Sequence, residues 1–320
     1  MKKILITGAS GFIGSFLTEE ALKKEWQTWA GIRKTSSREY LQNPTIQFID
    51  LIFSDKEKLK AQINHHAERY GAWDYVIHNA GLTKCLNPAD FDRVNYLFSR
   101  NLIEALQETG HTPKKFILMS SLSAHHPQAD TVYGRSKLKA EEFLQSQLNF
   151  PYIILCPTGV YGPREKDYYL MLKTIQAGFD LTAGFQPQRL TFIYVKDLVK
   201  AAFLALESPI QNKTYLLADG RLYSDTEYTR LVKKTLNKSF VLKIRVPLMI
   251  LKTVSILSEE IAKRTQKPST LNRDKYEIMK QRDWSCDSSP LENDLGFRAD
   301  YDLEHGLQES VDWYRTNAWL

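Results

Sequence analysis

Three glycines spaced three apart, in Thr7-Gly8-Ala9-Ser10-Gly11-Phe12-Ile13-Gly14, follow a short apolar run at 3–7 and open an amphipathic stretch over 12–24. A buried strand that turns on glycine into a helix lets the backbone approach a ligand closely. The helix start adds free amide hydrogens and the positive end of its dipole. This context, more than the triplet itself, predicts a dinucleotide pyrophosphate held at Gly8, Ser10, Gly11, Phe12, Ile13 and Gly14.

The following residues repeat the same rhythm. Short β-branched runs at 28–32, 46–49, 75–78, 116–119 and 152–156 alternate with helical patterns at 12–24, 55–70, 91–109 and 133–148. Alternation of this kind predicts βαβ units, a Rossmann-type doubly wound α/β fold with a parallel sheet, and ligands at the carboxyl ends of the strands. After Pro157 the rhythm breaks into Gly- and Pro-marked loops, then resumes as a strand at 190–195 and helices at 226–236, 247–264, 270–280 and 303–316. The 320 residues exceed one ordinary domain. We therefore expect a dinucleotide-binding domain over 1–157 and 190–217, and a smaller interleaved substrate lobe over 158–189 and 218–320.

Composition narrows the class. Hydrophobic residues at 43% and charged residues at 25% fit a globular chain rather than a disordered one. Cys85, Cys156 and Cys286 are far apart and show no ligand or redox spacing. Glycine arrives too early for a signal-peptide core and no apolar run reaches spanning length, which predicts a cytoplasmic protein. The net charge of +6 is scattered among acidic residues, a solvated surface rather than a nucleic-acid stripe, though it would draw an anionic cofactor or an acidic membrane surface.

The second strand ends in Ala30-Gly31-Ile32-Arg33-Lys34, where an NAD site would place a carboxylate for the ribose hydroxyls. Arg33 offers a charged planar fork to a 2′-phosphate, so NADP is preferred, with NAD as the alternative.

The order of motifs resembles that of the extended short-chain dehydrogenase/reductases, the NAD-dependent epimerase/dehydratase family, nearly end to end. Gly8, Gly11 and Gly14 match its TGxxGxxG; Asp50-Leu51 is similar to its adenine-contacting pair, and His78-Asn79-Ala80-Gly81 to its fourth-strand motif. Ser120-Ser121 closes the fifth strand, Tyr133-Gly134-Arg135-Ser136-Lys137 supplies YxxxK, and Pro157-Thr158-Gly159-Val160 resembles the loop beside the nicotinamide. The resemblance implies that Asp50, Leu51, Asn79, Ala80, Gly81, Tyr133, Lys137, Pro157 and Val160 join the cofactor site. It also leaves a homodimer or a monomer as the assembly.

Hydride exchange with a secondary alcohol needs a group that moves the hydroxyl proton. Lys137 lies one helical turn after Tyr133, where its ammonium can stabilise phenolate. The site thus comprises Tyr133 as acid/base, Lys137, and Ser121 as the hydrogen-bond donor, with Ser123 its competitor. Asn95 either holds a water or braces the sheet.

Several departures from the family pattern bear on substrate. The loop between Ser121 and Tyr133 is short and carries His125 and His126, read as exposed loop residues rather than metal ligands. Cys156, where the family commonly has Arg, reads as a small buried apolar residue. Leu190 stands where nucleotide-sugar enzymes usually carry a pyrophosphate-binding Arg, and Arg189 would face the other side of its strand. The segment 246–257 is unusually apolar: it packs against the sheet or a neighbouring subunit, or forms a lid or a membrane-facing surface. The expectation is an NAD(P)-dependent oxidoreductase acting on a small-molecule secondary alcohol or ketone, apolar or lipid-like, in the manner of a 3β-hydroxysteroid dehydrogenase. The alternatives are a nucleotide-sugar epimerase or dehydratase, and a non-catalytic NADP-sensing protein.

Overall fold

The computed structural model describes every residue except Pro127, Ala129 and Pro268. Its strands are β1 (Lys3–Thr7), β2 (Gln27–Gly31), β3 (Gln47–Ile49), β4 (Tyr75–His78), β5 (Lys115–Met119), β6 (Tyr152–Pro157), β7 (Gly159–Tyr161), β8 (Phe179–Ala183), β9 (Arg189–Leu190), β10 (Phe192–Tyr194), β11 (Lys213–Leu217), β12 (Tyr223–Ser224) and β13 (Leu242–Val246). The helices are α1 (Phe12–Lys23), α2 (Lys56–Tyr70), α3 (Ala89–Phe91), α4 (Phe98–Glu108), α5 (Val132–Gln145), α6 (Lys166–Gln176), α7 (Val195–Glu207), α8 (Asp225–Thr235), α9 (Leu248–Thr265), α10 (Arg273–Met279), α11 (Ser289–Leu295) and α12 (Leu303–Thr316).

Seven strands form one parallel sheet in the order β11-β6-β5-β4-β1-β2-β3. Both faces are covered, as a parallel sheet requires, so apolar residues alternate between two cores rather than between core and water. Ile4, Ile6, Ile77, Ile117 and Ile153 pack on the side of α1 and α7, with Leu17, Leu198 and Phe203. Leu5, Val76, Phe116, Leu118 and Ile154 face the opposite side, with Leu59, Leu102 and Leu144. The strand order reverses at β1, whose neighbours are β2 on one side and β4 on the other, and a crevice for ligand opens at such a switch point.

The expected doubly wound architecture is the one observed. The expected strand at 190–195 divides instead into β9, antiparallel to β12, and β10, parallel to β7. The loops expected after Pro157 contain α6, whose first turn is fixed by the Glu165 carboxylate accepting from the amides of Asp167 at 2.9 Å and Tyr168 at 2.5 Å. A third core joins Tyr161, Leu172, Phe192, Tyr194, Tyr228, Leu231 and Tyr314 around these elements. The apolar 247–264 pattern does form a helix, α9, but Leu251, Ser255 and Ala262 are its buried residues, and its apolar stripe does not pack against the sheet. Among the described residues, no helix is long and apolar enough to cross a membrane.

Candidate active site

The glycine turn lies at the carboxyl end of β1. Gly8 takes a left-handed φ of 66°, and a Cβ there would meet the backbone of Ala80 at 2.9 Å, so β1 and β4 end close together. A Cβ on Gly14 would stand 2.1 Å from the Gly8 carbonyl oxygen. Only two bare backbones fit this crossing. Gly11 precedes α1 without a side-chain cap, which leaves the first-turn amides at Phe12 and Ile13 directed at the crevice. A pyrophosphate is the group such a cradle suits.

Around it, Thr7 Oγ1 accepts from the Ala80 amide at 3.1 Å and shares a 2.8 Å hydrogen bond with His78 Nδ1, while His78 Nε2 lies 3.0 Å from Ser99 Oγ. This fixes Asn79, Ala80 and Gly81 above the sheet. Burial holds the His78 ring neutral, with its pKa lowered to about 3. Asp50 accepts the Lys34 amide at 3.0 Å, and its own carbonyl accepts from the Gln62 side chain at 2.8 Å, so it shapes the loop that presents exposed Arg33. Leu51 is buried beside it. Pro157 closes β6 in register with Leu217, and Val160 sits half-buried in β7 opposite Ile193.

The three residues singled out for proton chemistry meet at the carboxyl end of β5. Ser121 caps a turn of 3-10 helix over Leu122–Ala124; burial pushes the pKa of the Tyr133 phenol up, and the Ser121 side chain beside it opposes that rise. Ser123 instead turns its carbonyl toward the start of α5, where a Cβ on Gly134 would lie 2.4 Å from it. Tyr133 and Lys137 share one face of α5. Lys137 is 7% exposed, and its Nζ donates to the Met119 carbonyl at 2.9 Å. Burial lowers its pKa to about 8, partly opposed by the Glu141 carboxylate, so the ammonium is mostly charged at neutral pH. A Cβ on Gly81 would meet Lys137 Nζ at 3.0 Å, so Lys137 reaches the segment that follows β4 and abuts the glycine turn at Ala80.

Asn95 is a brace. It lies in a π-helical turn, Asp92–Leu97, that joins α3 to α4; its side chain accepts the Leu82 amide at 2.7 Å and donates to the Leu82 carbonyl and to Ser136 Oγ, each at 3.0 Å. The widened turn aims this amide at α5.

His125 is an exposed loop residue, as expected, but its side chain reaches inward. Its Nε2 lies 2.8 Å from a carboxylate oxygen of Glu141, which is buried one turn beyond Lys137 and also takes hydrogen bonds from Ser120 and, at 3.6 Å, from the Cys156 thiol. The pairing raises the His125 pKa. Cys156 is fully buried, as expected, yet it serves this polar cluster, and the donor atoms of His125, Glu141 and Cys156 lie within 4.8 Å of one another. His126 reaches the Asp283 carbonyl at 2.7 Å and lies against Trp284.

Asp274 is the residue that sequence motifs do not reveal. From α10 its carboxylate accepts the amides of Val132 at 2.9 Å and Tyr133 at 3.0 Å, while Thr131 Oγ1 accepts from Gly134. A carboxylate on a helix N-terminus stabilises it by about 0.5–2 kcal/mol. Here it also fixes the Tyr133 backbone. We expect Asp274→Ala to lower both melting temperature and kcat while leaving the dinucleotide Kd unchanged. An unchanged kcat in the folded variant would remove Asp274 from the positioning of Tyr133.

The model of the NAD dependent epimerase/dehydratase family matches residues 4–218. A ceramide reductase of Caulobacter vibrioides is 26% identical over 320 residues, covering 99% of this chain and 96% of that one. A dTDP-glucose 4,6-dehydratase of Haemophilus influenzae is 24% identical over 368 residues, covering 99% of each. An enzyme of Bordetella bronchiseptica solved in complex with NAD superposes with a TM-score of 0.77 at 20% identity, over 98% of this chain and 94% of the other.

Proposed function

Because the chain belongs to the NAD-dependent epimerase/dehydratase family, we propose that it is a cytoplasmic, NADP-linked reductase of a secondary alcohol/ketone pair whose substrate is apolar or lipid-like. The observation that carries this reading is the assembled Ser121, Tyr133 and Lys137 at the cofactor cradle, next to a lobe in which Leu190 takes the place of a pyrophosphate-binding Arg. Residues 158–189 and 218–320 serve as the substrate lobe. The chain works as a monomer or as a homodimer formed through the faces of α4 and α5.

Tyr133 donates its phenolic proton to the carbonyl oxygen as the alcohol forms. Ser121 hydrogen-bonds that same oxygen and orients it, and Lys137 holds the resulting phenolate by charge. When bound, the nicotinamide cofactor supplies the hydride to the carbonyl carbon. Asp274 and Asn95 keep α5 in place while this happens. The similarity to the ceramide reductase, a 26% match along nearly the whole chain, supports a lipid-like substrate.

A nucleotide-sugar epimerase or dehydratase is the second reading, favoured by the full-length similarity to the dTDP-glucose dehydratase. It uses the same Tyr/Lys pair without net use of cofactor, so net oxidation of NADPH by a ketone separates the two.

Cofactor preference rests on Arg33, which is exposed at the end of the strand–turn that follows β2. A charged hydrogen bond to a 2′-phosphate contributes about 1.5–3 kcal/mol. Arg33→Ala is therefore expected to raise the Kd for NADPH at least tenfold and leave that for NADH unchanged, measured by fluorescence titration. Equal effects on both, or tighter NADH binding by the unaltered protein, would reverse the assignment to NADP.

A further inference from the structure

The two-stranded ribbon of β8 and β13 is inverted. In β8 Asp180 and Thr182 are buried, as is Ala183 at its end, with Asp180 accepting from Thr229 of α8 at 3.0 Å, whereas the large apolar residues Phe179 and Leu181 face water. Across the ribbon Leu242 is paired with Phe179 and Ile244 with Leu181, and both are exposed as well. A half-buried ribbon normally turns its apolar face inward.

The next element repeats the feature. Pro247 alone joins β13 to α9, and Leu248 at that junction packs within 3.4 Å of a Cβ position on Gly184, just beyond β8. On α9, Ile250, Val254, Leu257 and Ile261 follow at helical spacing and lie within one narrow stripe, with Leu257 58% and Ile261 61% exposed. Met249 and, before the ribbon's second strand, Phe240 are exposed too, at 83% and 73%. Two consecutive elements thus present apolar faces to solvent, more than scattered surface hydrophobics account for.

Charge tells what covers them. Between Glu227 and Glu259 the sequence holds no acidic residue, and it carries Lys238 and Lys252 exposed beside the apolar positions. Farther along α9, Glu259 and Glu260 are paired with Lys263, and Arg264 at its end and Lys267 just beyond it are exposed. A helix with an apolar stripe and cationic flanks suits the interface of an anionic bilayer, where its side chains enter the acyl boundary and its cations meet phosphate headgroups.

We propose that the β8–β13 ribbon and α9 form a docking face for a membrane surface rich in anionic phospholipid. The inference stands apart from the reductase reading, since a surface can bind vesicles whatever the site turns over. It deepens that reading in one respect: α9 packs against α10, and α10 carries the Asp274 that fixes Tyr133, so the docked face adjoins the helix that braces the site.

The test is flotation of the full chain with phosphatidylcholine vesicles, with and without about one third phosphatidylglycerol, the anionic arm supplying the charge that the exposed lysines match. The unaltered protein should float with the anionic vesicles, less with the neutral ones, and less as salt rises. Val254→Glu with Leu257→Glu should abolish flotation, and Lys252→Glu should weaken it severalfold. NADPH binding should stay unchanged in all of them, which reports that they fold. Unaltered protein that remains in solution with anionic vesicles at low salt overturns the proposal. So does equal flotation of the double variant. A dimer in the unaltered protein that Leu257→Glu converts to monomer, without vesicle binding, would also overturn it and assign the face to a second copy.

Discussion

Replacing Tyr133 with Phe is expected to lower ketone-dependent NADPH oxidation about a thousandfold, the middle of the range for removing a positioned acid. NADPH affinity should change little, because the lost hydroxyl serves the substrate oxygen rather than the pyrophosphate cradle. The ring already packs edge-on against Phe91 and keeps that contact as Phe, so the fold should survive. In the unaltered protein the lowered Lys137 pKa has its own signature. Reduction needs the ammonium charged, so kcat/KM for the ketone should hold at neutral pH and fall as pH rises through about 8. Steady-state kinetics of the unaltered protein and of Tyr133→Phe across pH would check both; a variant within tenfold of the unaltered rate would assign the proton to another group.

The second large effect concerns the cradle. Gly14→Val would drive a branched side chain into a space where even a Cβ lies 2.1 Å from the Gly8 carbonyl oxygen and 2.8 Å from Ala9 Cα. Backbone cannot yield there as a flexible side chain would, so α1 must withdraw from β1 and carry the amides at Phe12 and Ile13 with it. Overpacking of this kind costs about 1–3 kcal/mol, or roughly ten- to a hundredfold in dinucleotide affinity if the cost falls on binding. Calorimetric titration with NADPH, alongside thermal unfolding, divides the loss between binding and stability. Unaltered affinity and melting temperature would mean that the crossing is looser than its geometry implies.

Where structure follows from neighbours in sequence, the chain is readable. The glycine turn, the six leading strands of the sheet and α5 with its Tyr133–Lys137 pair all arise from local spacing, and the motif order places them. What pattern does not show depends on distant partners. Asp274 caps α5 from 141 residues away, and nothing around Asp274 marks it as a partner of Tyr133. His125 is the exposed loop residue its surroundings suggest, but nothing near it shows that the short loop also folds its ring onto Glu141, where Cys156 leaves room and a polar contact. The π-helical turn at Asn95 lies inside an otherwise helical stretch whose period alone cannot show one extra residue. In β8 and β13 the two-residue alternation is plain, but its sense is inverted, because α8 offers polar partners to Asp180 and the apolar side is left outward.

The central claim is that these residues reduce a ketone with net use of cofactor, and one measurement reaches it most directly. Purified protein is given NADPH with a long-chain ketone in one arm and a nucleotide sugar in the other, while cofactor absorbance and product mass are followed together. The account predicts one NADPH consumed for each alcohol formed from the ketone, and none consumed with the nucleotide sugar. Isomerised or dehydrated sugar, with the ketone untouched and NADPH unspent, would contradict it.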